Sequence, residues 1–294
     1  MSTTQHRAHG KVILLGEHSV VYGHPALAGA LSDGVIVDAS PGSGRLSIAQ
    51  WELTIDPARS GDTTLARAYA AIRARAGEPA LDLALRFNLP TGAGLGSSAA
   101  MAVAIGRALG LDGAALADAA MASETVIHGT PSGLDHTVSL SGGFGLFTRA
   151  GGLRPVAAAP LTLCIGHTGK SRDTKGRVAR VAELLGERSD EVRGRFDAIG
   201  SLVGRATEAV VRGSLGELGE AMNENQRHLE ALEVSCVEIE RMCAIARDAG
   251  AVGAKLTGGG GGGCVIAIAP SRHAAVVGAW KRAGFDAFTA EVSS

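Results

Sequence analysis

The sequence predicts a two-domain protein that mixes α-helix and β-strand, of the α/β or α+β class. Three observations carry that expectation. Strand-like and helix-like segments alternate along the chain. Its 294 residues exceed an ordinary single domain of roughly 150. A Gly/Ala/Pro-rich stretch, Arg149–Pro160, separates two patterned halves and puts the expected domains at residues 1–157 and 158–294.

The elements follow from local pattern. Lys11–Leu15 is a short apolar run that reads as a strand stopped by Gly16, and Val35–Asp38 and Leu46–Ile55 read as further strands between turn residues. Thr63–Ala76 has helical apolar spacing, with Asp62 as the expected N-cap. Leu81–Leu89 alternates: Leu81, Leu83, Leu85, Phe87 and Leu89 share one face, which predicts a half-buried strand ended by Pro90. Helices are expected at Ser98–Leu109 and Ala114–Ile127, and strands at Gly142–Thr148 and Leu161–Gly166. The second half reads as helices at Thr174–Leu185, Asp190–Arg212, Leu215–Leu232, Cys236–Ala249 and Arg272–Ala283. Its strands are read at Ala254–Leu256, Cys264–Ala269 and Phe285–Val292.

Composition narrows the function. Hydrophobic residues make up 46% and aromatics only 3%, so the core is built from Ala, Val, Leu and Ile. A net charge of −1 carries no basic footprint for nucleic acid. No apolar run reaches the length of a membrane span, and polar Met1–His9 lacks a signal-peptide core, so the expected compartment is the cytoplasm. The four cysteines form no CxxC pair and no zinc spacing, and read as reduced, mostly buried thiols; Cys236 and Cys243 are expected on one helix face.

The 42 glycines cluster, which points to specific loops. The most informative run is Gly92-Ala93-Gly94-Leu95-Gly96-Ser97-Ser98, set between a strand and a helix. Glycines let the backbone turn tightly and approach a ligand. The first amides of the helix have no intrahelical partner and, with the helix dipole, favour a phosphate. A mere helix cap needs one Ser and no glycine triplet. Ser97 stands where the dinucleotide fingerprint requires glycine. Gly169-Lys170-Ser171 imitates a Walker A ending, but Cys164 occupies the position of its first glycine, so Lys170 reads as a solvated loop lysine.

Three other clusters carry candidate chemistry. Lys11 stands on a strand that leads into Glu17-His18, a set that fits either a polar pocket or a solvated turn. Glu124 and His128 are spaced for one helix face, and Asp135 follows across a Gly/Pro loop that would present it to a substrate hydroxyl; the alternative is an Asx turn. One carboxylate with a hydroxyl and phosphate oxygens suits magnesium, not zinc. Gly258–Gly263, six glycines between strand-like runs, fits close backbone approach to a ligand or to the other domain.

Taken in order, Lys11–Gly23, Pro90–Ala100 and Gly258–Gly263 resemble the three motifs of the GHMP kinase superfamily, and the resemblance covers nearly the whole chain. Within it, the stretches 10–23, Glu124…His128-Gly-Thr-Pro-Ser-Gly-Leu-Asp135 and Lys255-Leu-Thr-Gly are most similar to the mevalonate-phosphorylating branch. The resemblance implies an α+β chain with a ribosomal protein S5 domain 2-like N-terminal domain, a ferredoxin-like C-terminal domain and a site in the cleft between them. It implies ATP-dependent phosphorylation of the C5 hydroxyl of (R)-mevalonate, with Mg²⁺, in a homodimer. Asp135 would be the base, with Lys11 beside it to help neutralise the transferring phosphoryl group. Ser98 and Glu124 would hold Mg²⁺, and Gly92, Ala93, Gly94, Leu95, Gly96, Ser97 and Ser98 would bind the ATP phosphates. Glu17, His18, Thr174 and Gly259 would contact the substrate. Gly259 departs from the pattern, which commonly has Ala there. The rival readings are a superfamily kinase for phosphorylated mevalonate, a sugar or homoserine, and a catalytically silent nucleotide sensor.

Overall fold

The computed structural model describes residues 3–59 and 61–293. In chain order the strands and helices begin with β1 (Thr4–Leu15), a 3₁₀ turn at Ser19–Tyr22, β2 (Ala26–Pro41), β3 (Leu46–Ile48) and β4 (Leu53–Ile55). Next come α1 (Thr64–Arg75), β5 (Leu81–Phe87), α2 (Ser97–Ala108), α3 (Gly113–His128) and α4 (Leu134–Ser141). Then follow β6 (Phe144–Thr148), β7 (Gly152–Val156), β8 (Leu161–His167), α5 (Thr174–Glu187), α6 (Ser189–Arg212), α7 (Leu215–Ala231) and α8 (Val237–Asp248). The chain closes with β9 (Gly253–Thr257), β10 (Cys264–Ile268), α9 (His273–Arg282) and β11 (Asp286–Val292).

These elements form two compact units. One comprises Met1–Lys11, Asp33–Thr91 and Gly96–Gly142; the other comprises Val12–Ser32, Gly92–Leu95 and Gly143–Ser294. In the first, the later half of β2 runs antiparallel to β5, with Val37 opposite Leu85, while β3 runs parallel to β5 and antiparallel to β4. The alternation read in β5 is realised: Leu83, Leu85 and Phe87 are buried and Ala84 and Arg86 exposed. Each fully buried aliphatic side chain of this face contributes about 1.5–3 kcal/mol. Helix α2 lies deep in this core because its residues are small, and α3 packs so close that a Cβ on Gly106 would meet Leu116 Cδ1 at 2.4 Å.

In the second unit β8 pairs antiparallel with β10 on one side and β11 on the other, and β9 adds beyond β10. The early half of β2 meets β6 and, at Leu31, the end of β11. Helices α5 to α9 supply the apolar core around Phe196, Met242 and Trp280, whose indole N–H donates to the Met242 carbonyl at 2.8 Å.

Several sequence expectations need correction. Thr63, not Asp62, caps α1, accepting from the Ala66 amide at 3.2 Å. β1 starts at Thr4 and β2 at Ala26, well before their apolar signals. Leu46–Ile55 is interrupted by a 3₁₀ turn at Ala49–Trp51. The Gly/Ala/Pro-rich stretch 149–160, where the domain boundary was expected, holds β7, which forms a hairpin with β6. Asp135 does not sit on a loop: it lies in the first turn of α4. Cys236 is the residue before α8 and does not share a helix face with buried Cys243. All four cysteines are free thiols, and burial pushes Cys164 up to about 11 and Cys243 and Cys264 up to about 12. No helix among the described residues is long and apolar enough to cross a membrane.

Candidate active site

The glycine run is built as its sequence suggests. Gly92, Gly94 and Gly96 all have positive φ, between 72° and 95°, which a side chain would strain. Gly96 is the N-cap of α2, and no side chain caps that end. The first turn of α2 also carries no acidic residue, so its outward amides present partial positive charge. A Cβ on Gly96 would lie 2.7 Å from Lys11 Cγ, so glycine here also makes room for the lysine stem.

Lys11 is buried at the β1 end of the first unit, and its ammonium meets Asp135 Oδ1 at 3.1 Å. The two differ in exposure, 2% for Lys11 and 32% for Asp135, so the carboxylate is the member a substrate can reach. α3 and α2 bring a second cluster together. Ser98 Oγ lies 3.1 Å from His128 Nε2, and the same nitrogen lies 3.8 Å from Glu124 Oε2. The i, i+4 spacing thus places Glu124 and His128 on one helix face, as expected. Glu124 is buried, and its carboxylate and the Ser98 hydroxyl flank one imidazole nitrogen. Among the described residues no three His, Cys, Asp or Glu side chains form a metal cluster, so a cation here would rest on a single carboxylate, a hydroxyl and oxygens brought by a ligand.

The second unit holds the remaining candidates. Glu17 and His18 form a buried turn, so the solvated-turn reading does not hold. His18 sits at φ 62°, ψ −51°, an uncommon conformation for a side-chain-bearing residue. Its Nε2 lies 3.0 Å from the Gly259 carbonyl, and since a carbonyl only accepts, Nε2 carries the proton. Burial pushes His18 down to about 4; the Gly259 bond opposes this and the Arg177 charge adds to it. The sign of the consequence is fixed. The unfolded chain takes up a proton near pH 6.5 that the folded chain refuses until about 4. Stability from neutral His18 is therefore complete above about pH 6.5 and is lost as pH falls toward 4. Between pH 7 and 4.5 the loss is about 2–3 kcal/mol. Urea unfolding of wild type and His18→Gln at those two pH values is expected to show a stability drop from pH 7 to 4.5 that is smaller by that amount in the variant.

The six-glycine loop answers to steric demand inside its own unit. A Cβ on Gly260 would meet the Val234 carbonyl oxygen at 2.0 Å, and one on Gly262 the Ser171 oxygen at 2.7 Å. Gly259 faces Thr174, the first residue of α5: a Cβ there would lie 2.5 Å from Thr174 Oγ1 and 2.9 Å from its Cβ. Asp173 fixes the backbone at this helix start by accepting from the Gly176 amide at 3.0 Å, so the Thr174 side chain has to give. Gly259→Ala is expected to cost about 1–3 kcal/mol by overpacking, measured by thermal unfolding.

Arg172 runs along both glycine loops of this unit. Cβ atoms on Gly94 and Gly263 would meet its side chain at 3.2 and 2.7 Å. The Walker-like Lys170 is exposed and pairs with Glu238 at 2.7 Å, as a solvated loop lysine should. Sequence reasoning gave no role to the side chains of Lys255 and Asn225. Both are fully buried against Glu17, and a lone lysine in an apolar strand, Gly253–Thr257, was the available signal.

A glycine loop opening a helix, a lysine–aspartate pair and a second glycine-rich loop are the features of a small-molecule kinase. The pattern described as "GHMP kinases N terminal domain" matches residues 63–143, and "GHMP kinases C terminal" matches 206–286. The chain belongs to the GHMP kinases. Within them it belongs with the mevalonate kinases. It is 37% identical to the mevalonate kinase of Pyrococcus horikoshii, over 94% of this chain and 92% of that protein. It is 35% identical to that of Methanothermobacter thermautotrophicus, over 97% and 96%. Among solved structures, the L. major mevalonate kinase in complex with R-mevalonate superimposes with a TM-score of 0.88 at 28% identity, covering 99% of this chain and 96% of that one.

Proposed function

We propose that this protein transfers the γ-phosphoryl group of ATP to the C5 hydroxyl of (R)-mevalonate, giving ADP and 5-phosphomevalonate. The observation that carries the reading is the Lys11–Asp135 pair, with Lys11 packed under Gly96 at the start of α2 and Asp135 open to solvent. In the reaction, the C5 oxygen bonds to the γ-phosphorus, the bond from that phosphorus to the bridging oxygen of ADP breaks, and the hydroxyl proton passes to Asp135. Lys11 supplies positive charge where the transferring group gathers negative charge. The amides from Gly92 to Ser98 hold the phosphates in place. Such transfer is mostly positioning and charge stabilisation, and these groups supply both. Ser98 and Glu124 offer hard oxygen donors that fit Mg²⁺. Bound there, the ion would neutralise ATP phosphate charge. His18, Thr174 and Gly259 serve the mevalonate side, with Glu17 behind them.

The nearest rival is a kinase for 5-phosphomevalonate, and the basic residues Arg172, Lys175 and Arg177 motivate it. Steady-state turnover with each acid decides: a higher kcat/KM for mevalonate is expected, and preference for the phosphorylated acid would overturn the reading. ATP binding without transfer to either acid would mean a silent sensor.

A further inference from the structure

Glu17 was expected to touch substrate, yet the structure commits it elsewhere. It is 1% exposed, and both carboxylate oxygens are taken. Oε1 accepts from Lys255 Nζ and Oε2 from Asn225 Nδ2, the latter at 3.2 Å. Lys255 has no exposed surface, so it reaches no ligand. Its ammonium also donates to the Leu256 carbonyl at 2.5 Å. Taking two charges out of water is costly, and an apolar pair of the same volume would serve stability as well. The pair therefore calls for a role beyond holding the fold.

Its place suggests the role. β9 carries Lys255 and leads directly into the six-glycine loop, and the chain after β1 carries Glu17 and His18. Three contacts rivet these segments within the second unit. Thr257 Oγ1 bonds both the amide and the carbonyl of Ile13, at 3.0 and 3.1 Å. Lys255 pairs with Glu17, and His18 Nε2 donates to Gly259. The middle rivet is the only ionic one, and it adjoins the residue in the uncommon backbone conformation. β9 is in turn strapped to α7: Asn223 bonds Val252 and Ala254, and Gln226 accepts from the Leu256 amide at 2.9 Å.

We propose that Lys255, assisted by Asn225, is a positioning residue: it holds the Glu17 carboxylate so that the Glu17–His18 turn presents His18 against Gly259, and Glu17 acts through His18 instead of touching mevalonate. This rests on the reading of His18 as a mevalonate contact. A substrate-free measurement separates the two claims.

The kinetic arm uses Lys255→Met, Glu17→Gln, the double variant and Asn225→Ala. Lys255→Met leaves a buried carboxylate unpaired, and is expected to raise KM for mevalonate at least about tenfold with KM for ATP within about twofold. Glu17→Gln alone is expected to do the same, because it strands the buried ammonium. The double variant removes both charges at nearly constant volume and is expected to return KM to within about threefold of wild type. Asn225→Ala, which keeps the ion pair, is expected to raise it about threefold and covers the case in which Lys255→Met does not fold. A double variant no better than Glu17→Gln would make Glu17 a direct ligand and overturn the proposal. Unchanged KM in both Lys255→Met and Asn225→Ala would overturn it too. The substrate-free arm is long-range ¹⁵N NMR of the His18 ring. Wild type is expected to show a single Nε2–H tautomer, and Asn225→Ala and Lys255→Met a mixture. A wild-type ring signature in both variants contradicts the positioning role whatever the substrate. A changed ring with unchanged mevalonate kinetics contradicts the reading of His18.

Discussion

Asp135→Asn is expected to lower kcat by about 10²–10⁴-fold, the span that general-base assistance covers. ATP affinity is expected to stay within about twofold, because the loop amides and Ser98 are untouched. Asn keeps the shape of the side chain, and its carbonyl still accepts from Lys11, which lies 3.1 Å from Oδ1 in the native pair. What it loses is the capacity to take a proton. Asp135 is also a third exposed, so the change strands no acceptor in the core. Single-turnover phosphoryl transfer together with equilibrium nucleotide binding separates chemistry from affinity. Wild-type turnover in this variant would move the base elsewhere.

Lys11→Met is expected to cost about 10²–10³-fold in kcat, comparable with removing one preorganised donor worth about 2.7–4 kcal/mol from a site where charge develops. Met reproduces the unbranched stem that packs under Gly96, where a Cβ would already be 2.7 Å from Lys11 Cγ. Only the ammonium is lost. The partner left behind, Asp135, is open to water and is solvated, so unfolding in urea is expected to change far less than turnover. A variant that loses stability and turnover in proportion would make Lys11 a structural counter-ion and nothing more.

Legibility in the sequence followed the kind of signal each feature leaves. β5 was readable because one of its faces is buried and the other solvated, and the glycine loop because positive φ at three alternate positions tolerates only glycine cheaply. The early half of β2 was hidden: Ala26-Leu-Ala-Gly-Ala-Leu31 is buried throughout, and a strand buried on both faces shows no alternation. α4 was hidden because Thr130-Pro-Ser-Gly133 reads as a loop that continues, whereas Gly133, at φ 89°, ends the loop and starts eight helical residues. That error put Asp135 in the right neighbourhood on the wrong element. Glu17 and His18 balanced between pocket and solvated turn because the residue that decides, Lys255, lies 238 positions away. Ser98 and Glu124 were named as partners from the resemblance, but the imidazole of His128 beside both needed coordinates.

The central claim is that this chain phosphorylates the C5 oxygen of mevalonate. The most direct measurement is the product itself: purified protein, ATP, Mg²⁺ and (R)-mevalonate, with ADP release followed and the acid examined by ³¹P–¹H correlation NMR. ADP release that depends on mevalonate, with the new phosphorus coupled to the C5 methylene protons, is the expected result. Phosphate on the tertiary C3 oxygen, or ADP release indifferent to mevalonate, would contradict it.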